Sequence, residues 1–521
     1  MKSSIQRIEK QLNSEINQKG KAIIFSLAVG IIVYFLLMAL DLVNDIDGIW
    51  HPSNFIAGDW EISLGRGLQR YADRARFGIV STAFNSVITL FLISVSNVYI
   101  VDTLKIKNRV YKYTALILLI ANPIVCCSLT YSYMSVNFAL AYFFSVCAVL
   151  VIIKDTVKKW EWIGCVLFSG LLLAVSMAFY QAYICVTAVI LLLFFIKQII
   201  ACEITKKLCV YAVKVLGFFV TGGVFYLIIT KLLLFRAGVQ MSGYRGASSV
   251  SVTSMITNLP TSVTECYKQY KAYICQAKMF SNLEFIDIVL VYLAIVYAVV
   301  VVYQFVKLFK KKKMFSIIFL IMIALVPIAA CIILLIAVGN SMSTLMSAGM
   351  LMSIVLLGSI ISEESFWIKR ACYLGLVVLA WFQLSMVVND QLALREGKDA
   401  TITLSENIVH ELFEDGYYEE GLPIALVGRP GNNPAFVKSG AYQMANGYAR
   451  FGCWSTDARN NKYSWDGVMR NFLGVSLNIC NEIDYEKLIQ NEEIEEMPVF
   501  PMEGSIRVID GYVVVKVSNL Y

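Results

Sequence analysis

The sequence predicts an all-α polytopic membrane protein of about eleven transmembrane helices, followed by a small C-terminal α/β domain outside the cytoplasm. Three observations carry this reading. The 521 residues are 58% hydrophobic and only 16% charged, against about 25% charged in soluble domains. Mean hydropathy is +0.68. The apolar residues gather in runs close to the ~20 needed to cross a hydrocarbon core, and beyond residue 388 that character is lost. A soluble chain cannot bury so much apolar surface, so lipid has to solvate most of it.

In chain order, residues 1–21 are polar and basic (Lys2, Arg7, Lys10, Lys19, Lys21) and read as a cytoplasmic amphipathic segment. The transmembrane part spans 22–388. Its first apolar run, 22–41, is too long for a signal-peptide core, and no A-x-A site follows it. A polar loop covers about 42–77, and six runs then lie near 78–101, 111–129, 135–153, 161–179, 182–201 and 211–234. A second long loop covers about 235–283, and four runs follow near 284–306, 314–338, 342–362 and 371–388.

Basic residues set the expected topology. Lys105, Lys107 and Arg109; Lys154, Lys158 and Lys159; Lys197, Lys206 and Lys207; Lys307 and Lys310 to Lys313; and Lys369 with Arg370 fall in alternate connections. Those connections are cytoplasmic by the positive-inside bias. The short connections near Ser132, Tyr180 and Asn340 carry no basic residue and face outward. An odd number of crossings then puts residues 389–521 outside the cell. That tail has strand-like runs (PIALVG at 423–428, YVVVKVS at 512–518) and a turn signal, RPGNN, at 429–433.

The net charge of +7 is explained by these loop lysines and calls for no nucleic acid. Two histidines, His51 and His410, argue against a histidine-ligated metal. Of the thirteen cysteines, most lie in apolar runs and act as small hydrophobes. Cys266, Cys275, Cys453 and Cys480 fall in external segments and suffice for two disulfides if the compartment is oxidising.

Chemistry concentrates in the two long loops. The first offers Asp41, Asp45, Asp47, Asp59 and Glu61, then Arg66, Arg70, Arg74 and Arg76. Asp41 and Asp45 share a face if the first helix continues through them. Carboxylates at a dry membrane border are costly and are kept for function. An ionised one can deprotonate an acceptor hydroxyl, which makes Asp45 and Asp47 the candidate bases. Asp41 and Asp73 read better as solvated loop charges. Four arginines outside run against the charge bias. Arg66 in LGRG has flanking glycines that let a partner approach, and its fork suits a phosphate. A salt bridge to Asp59 or Glu61 is the plainer alternative. Lys231 and Arg236 end a helix on the same side, where each alone can snorkel to headgroups; Arg245 in GYRG is a weaker candidate of the same kind. Tyr180 and Gln181, in SMAFYQAY, sit between two helices with almost no loop, able to hydrogen-bond a sugar or a phosphate. Tyr180 also fits an interfacial aromatic belt. A divalent cation at the acidic loop is a further option.

Three features give the chain a resemblance over nearly its whole length: NDID (44–47) before DWEISLGRG (59–67), SMAFYQA (176–182), and the closing stretch MPVFPMEGSIRVIDGYVVVKVS (497–518). Together they resemble the GtrII-type glucosyltransferases of bacterial surface polysaccharide modification, membrane enzymes of the GT-C class. The resemblance implies a GT-C-like fold in the bacterial inner membrane. It implies transfer of a hexose, glucose above all, from a polyprenyl-phosphate carrier to a glycan or glycolipid acceptor outside the cytoplasm, with inversion. It implies an acidic base in the first external loop, matched by Asp45 or Asp47, with Asp59 and Glu61 in reserve. Arg66 would meet the donor phosphate, and Tyr180 and Gln181 would line the cavity. Here one residue separates the two acids of NDID, where the family leads one to expect an adjacent pair, so the choice between them stays open.

Other readings make different demands. A flippase or transporter needs charges along a path inside the helices, whereas these helix centres are nearly charge-free. An O-antigen-type polymerase usually has a large central external loop, whereas the largest external piece here is the tail. A non-enzymatic scaffold would tolerate an inert first loop.

Overall fold

The architecture comes from a computed structural model that describes residues 2–519 apart from 52, 157, 202–204, 245–251, 276–283, 362–365, 415, 417–421 and 437. The protein is a polytopic all-α membrane protein with a three-stranded sheet near its C-terminus. Among the described residues nine helices are long and apolar enough to cross a membrane. The two expected runs missing from that set are the first, split between helices, and 342–362, which holds the shorter helix Ala348–Ile361.

Helix α1 (Lys2–Val33) breaks at Tyr34 before α2 (Phe35–Ala39). The Gln391 side chain is spliced into the break: its Nε2 donates to Val33 O at 2.9 Å and its Oε1 accepts from Leu37 N at 3.0 Å. An inserted side chain of this kind is a recognised cause of a helix kink. Three short helices fill the first loop, α3 (Asp47–Trp50), α4 (Asp59–Ser63) and α5 (Gln69–Ala75). The chain then runs through α6 (Thr82–Thr103), α7 (Arg109–Ile120) and α8 (Pro123–Thr130). Asn122 caps α8 by accepting from Ile124 and Val125 N–H, with Pro123 opening the helix. The carbonyls that this break leaves on Ile120 and Asn122 both accept from Tyr34 OH.

Next come α9 (Ser135–Ile152), α10 (Lys159–Phe179), α11 (Ile184–Ile200) and α12 (Thr205–Ala237). Gly170 faces Thr221 and Gly222 faces Leu173 across the α10–α12 seam. Such small residues let membrane helices approach closely. The second loop holds α13 (Val252–Thr257) and α14 (Leu259–Cys275), and α15 (Glu284–Lys311) to α19 (Ala348–Ile361) complete the bundle, with α16 Lys313–Ala324, α17 Val326–Ala330 and α18 Ile333–Ile336 between them.

Helix α20 (Phe366–Glu414) runs 49 residues without interruption. The boundary expected at residue 389 therefore falls inside one helix, which carries the chain from the bundle into the tail. Lys398 of α20 donates to Leu40 and Asp41 carbonyls at 3.2 Å each, capping the end of α2. In the tail, β1 (Ile424–Val427) pairs parallel with β3 (Tyr512–Lys516), and β2 (Ile506–Ile509) pairs antiparallel with β3 through an Asp510–Gly511 turn in which both residues have positive φ. The tail helices are α21 (Gly440–Met444), α22 (Ala458–Asn471), α23 (Glu482–Leu488) and α24 (Glu492–Glu496). The described cysteines are all free thiols, Cys266, Cys275, Cys453 and Cys480 among them.

Candidate active site

The first helix does not continue through the acids. Helix α2 ends at Ala39, and Asp41 turns the chain with φ of 50°. Asp41 and Asp45 thus share no helix face, which corrects the expectation. Asn44 fixes the loop instead. Its N–H and Nδ2 both donate to Thr130 O, at 3.1 and 3.2 Å, and its Oδ1 accepts from Ile46 and Gly48 N–H. This turn sends the next two acids in different directions.

Asp45 is turned into the tail. It is 7% exposed, and its Oδ2 accepts from Cys453 N–H at 2.9 Å. Its own carbonyl accepts from Ser464 Oγ. Burial pushes its pKa up to about 7, against the pull of the Cys453 N–H and the Arg429 charge. Asp47 opens α3, is half-buried, and has no hydrogen-bonded partner among the described residues. Burial and then the Glu61 charge raise its pKa to about 6, with Arg66 pulling the other way. Its charge also reaches Tyr131 and Tyr133. His51 packs at a tilt against Phe55 and Tyr133, ring centres 4.4 and 4.9 Å away, and burial lowers its pKa to about 4, so it is neutral there.

Arg66 pairs with neither acid of its own loop. Asp59 takes Arg70 at 2.8 Å, and Glu61 caps α4 by accepting from Gly58 N–H at 2.7 Å. Arg66 Nε donates to Gln181 Oε1 at 3.2 Å, and its guanidinium lies 4.8 Å from the Tyr180 ring centre. Its two terminal nitrogens carry no hydrogen bond among the described residues. Gln181 is fully engaged: Nε2 donates to Leu64 O at 2.7 Å and to Tyr226 OH at 3.0 Å. Within the chain it holds Arg66 to the Leu64 carbonyl and Tyr226.

The glycines of LGRG serve a different partner from the one expected. A Cβ on Gly65 would strike Tyr226 OH, and one on Gly67 would lie 2.7 Å from Leu233 Cδ1. They admit helix α12, whose Tyr226 OH accepts from Gln181 Nε2 and donates to Gly65 O. Asp73, expected to be a solvated charge, is buried. It accepts from Ala57 N–H and Asn137 Nδ2 at 2.9 Å each and pairs with Arg76 at 2.5 Å, tying the loop to α9. Burial, partly offset by these bonds, raises its pKa.

The structure brings together Asp47, Glu61, Arg66, Tyr180 and Gln181. Sequence reasoning missed Tyr226, Tyr131, Tyr133 and His51 around them. Nothing local marks Tyr226, since its relevance rests on the loop folding against α12. Asp59 is at the edge, paired with Arg70. Lys231 is exposed on α12 about 140° round from Tyr226. Arg236 is exposed at the end of α12, beside Arg70 and Arg74. Arg245 lies outside the described residues. Among the described residues no three His, Cys, Asp or Glu side chains are grouped to hold a metal ion. Asp45, Asp59, Glu61 and Asp73 are turned instead to Cys453, Arg70, Gly58 and Arg76. The tail roofs the site: Asn471 Nδ2 donates to Ile49 O at 2.8 Å, Tyr463 packs on Trp50 at 5.3 Å, and Arg459 lies over Trp60.

Among known proteins, the family model described as Glucosyl transferase GtrII matches residues 52–357. No curated protein and no solved structure matches the chain.

Proposed function

The chain belongs to the GtrII glucosyltransferase family, and from that membership we propose that it moves glucose from a polyprenyl-phosphate carrier to a cell-surface glycan or glycolipid on the extracytoplasmic side. The observation that carries the reading is that a half-buried Asp47 with no hydrogen-bonded partner among the described residues lies within reach of the charge of an Arg66 whose terminal nitrogens are open. Both lie at one end of a membrane bundle, where a lipid-borne substrate presents its head.

In this mechanism Asp47 is the base. As the acceptor hydroxyl attacks the anomeric carbon, its proton passes to the Asp47 carboxylate. The new C–O bond forms while the bond from the sugar to the carrier phosphate breaks, and the phosphate leaves with the electron pair. Arg66 meets the charge that develops on that phosphate, held in place by Gln181 and the Tyr180 face. Attack from the side opposite the phosphate inverts the anomeric centre. Burial, and after it the nearby Glu61 charge, keep Asp47 basic enough to accept the proton. Asp45, buried and bonded to the tail, positions that roof.

The reading is tested by comparing surface glycan composition in a deletion strain and its parent. Loss of a side-chain glucose, restored by the wild-type gene and not by Asp47→Asn, is expected; identical glycans would overturn it. A reporter active only in the cytoplasm, fused after Tyr521, should stay silent.

A further inference from the structure

Beside Gly67 lies a cavity of about 250 Å³. Its walls include Ile62, Arg70, Tyr71, Arg74, Leu233 and Arg236. Among the described residues no carboxylate lines it. Arg70 is committed, with Nε on Ala57 O at 2.9 Å and Nη2 on Asp59 Oδ1 at 2.8 Å. Arg74 and Arg236 have neither a hydrogen bond nor an ion pair among the described residues. Two uncompensated guanidiniums therefore share one cavity.

A dipole argument accounts for each arginine singly, since Arg74 ends α5 and Arg236 ends α12. It does not account for their convergence from two elements, which brings like charges together. An anion between them removes that repulsion, and the planar fork of arginine fits phosphate oxygens. Leu233, Ile62 and Tyr71 give the cavity an apolar wall, and Arg236 closes the membrane span Cys209–Ala237. The ligand is thus an anion attached to an apolar body at the membrane border. The cavity adjoins the Arg66 site at Gly67, but its gripping end stands apart, because ten residues of α12, about 15 Å of helix rise, divide Tyr226 from Arg236.

We propose that this cavity seats the phosphate of a membrane lipid, gripped by Arg74 and Arg236. Two lipids share that chemistry, an anionic glycerophospholipid and a polyprenyl phosphate. The proposal does not depend on glucosyl transfer, and its test reads binding alone.

The test is native mass spectrometry of the full chain in non-ionic detergent, titrated with phosphatidylglycerol, polyprenyl phosphate or diacylglycerol. Bound equivalents are counted, because the Arg66 site takes a polyprenyl phosphate of its own in the mechanism above. The variant carrying Arg74→Gln and Arg236→Gln should lose one phosphate-lipid equivalent, with affinity down at least tenfold, and should hold diacylglycerol as the wild type does. Loss of phosphatidylglycerol alone identifies a bulk-lipid seat, and loss of polyprenyl phosphate alone a second carrier seat. Equal binding of both phosphate lipids by the two proteins overturns the proposal. Arginine labelling by phenylglyoxal on the wild type gives a check that needs no variant to fold. Either phosphate lipid should shield Arg74 and Arg236 where diacylglycerol does not, and an absence of shielding also overturns it.

Discussion

The backbone N–H of Cys453 donates to Oδ2 of Asp45 at 2.9 Å, across 408 residues of sequence. That bond ties the tail to the first loop and separates the roles of two acids only two residues apart. Asp45 spends an oxygen on the tail; Asp47 spends none on any described residue.

The first prediction concerns stability and pH. The native pKa of Asp45 is raised from 3.8 to about 7, so the folded protein keeps a proton that the unfolded chain releases near pH 4. The stability this group contributes is full below its unfolded pKa and is lost as pH rises through about 7. Asp45→Asn keeps an acceptor for Cys453 and removes the charge. Its unfolding temperature should therefore fall less between pH 5 and pH 8 than that of the wild type. Differential scanning fluorimetry at the two values checks this, and parallel falls would show that Asp45 does not titrate in the fold.

Activity should divide the two acids differently. Asp47→Asn should lower transfer about 10²–10⁴-fold, the usual range for a lost general base, with membrane levels unchanged. Asp45→Asn should retain most activity at neutral pH. The wild-type rate should drop as pH falls through about 6, where Asp47 takes up a proton. A variant pair with the opposite ranking would move the base to Asp45.

Docking of the tail can be tested at Gly467. A side chain there would strike Ile49 Cγ2 and lie 3.2 Å from the Ile49 carbonyl. Overpacking of this kind typically costs about 1–3 kcal/mol. Gly467→Val should expose the tail to limited proteolysis and reduce transfer, since α3 bears Asp47 and rests on α22. Unchanged cleavage would mean that docking tolerates a wider gap at α22.

The membrane architecture was legible because it follows from composition and run length, which are local. Helix α20 was not, since the apolar run ends near residue 388 while no proline or cap stops the helix before Glu414. Composition marks where lipid ends, and a helix can continue past that point. The acids of NDID were legible as a pair, but their partners were not. The Asp45 partner comes from the tail, and the selection is made by a turn held on Thr130. In sequence LGRG looks open to a ligand because glycine permits close approach; only the fold shows that α12 takes that space.

The last prediction follows from the geometry at Arg66. Its Nε is committed to Gln181, its face rests on Tyr180, and its two terminal nitrogens point away from any described partner. A guanidinium held this way presents a fork, and a fork can grip two phosphate oxygens at once. Lysine keeps the charge but has neither the Nε anchor nor the fork. A hydrogen bond to a charged group contributes about 1.5–3 kcal/mol, or roughly one to two decades in affinity. Arg66→Lys should therefore raise the donor concentration needed for half-maximal transfer at least several-fold. Thermal stability should hardly move, because no ion pair is broken. Gln181→Leu provides the companion test. It removes the anchor while leaving Arg66 in place, and it orphans the Leu64 carbonyl and takes from Tyr226 OH the amide it accepts from, leaving that hydroxyl its bond to Gly65 O. Its donor requirement should rise in the same direction, with a loss of stability that Arg66→Lys lacks. If donor dependence is unaltered in Arg66→Lys, the phosphate is met elsewhere, and Arg66 serves only to fasten the loop to the Tyr180–Gln181 connection.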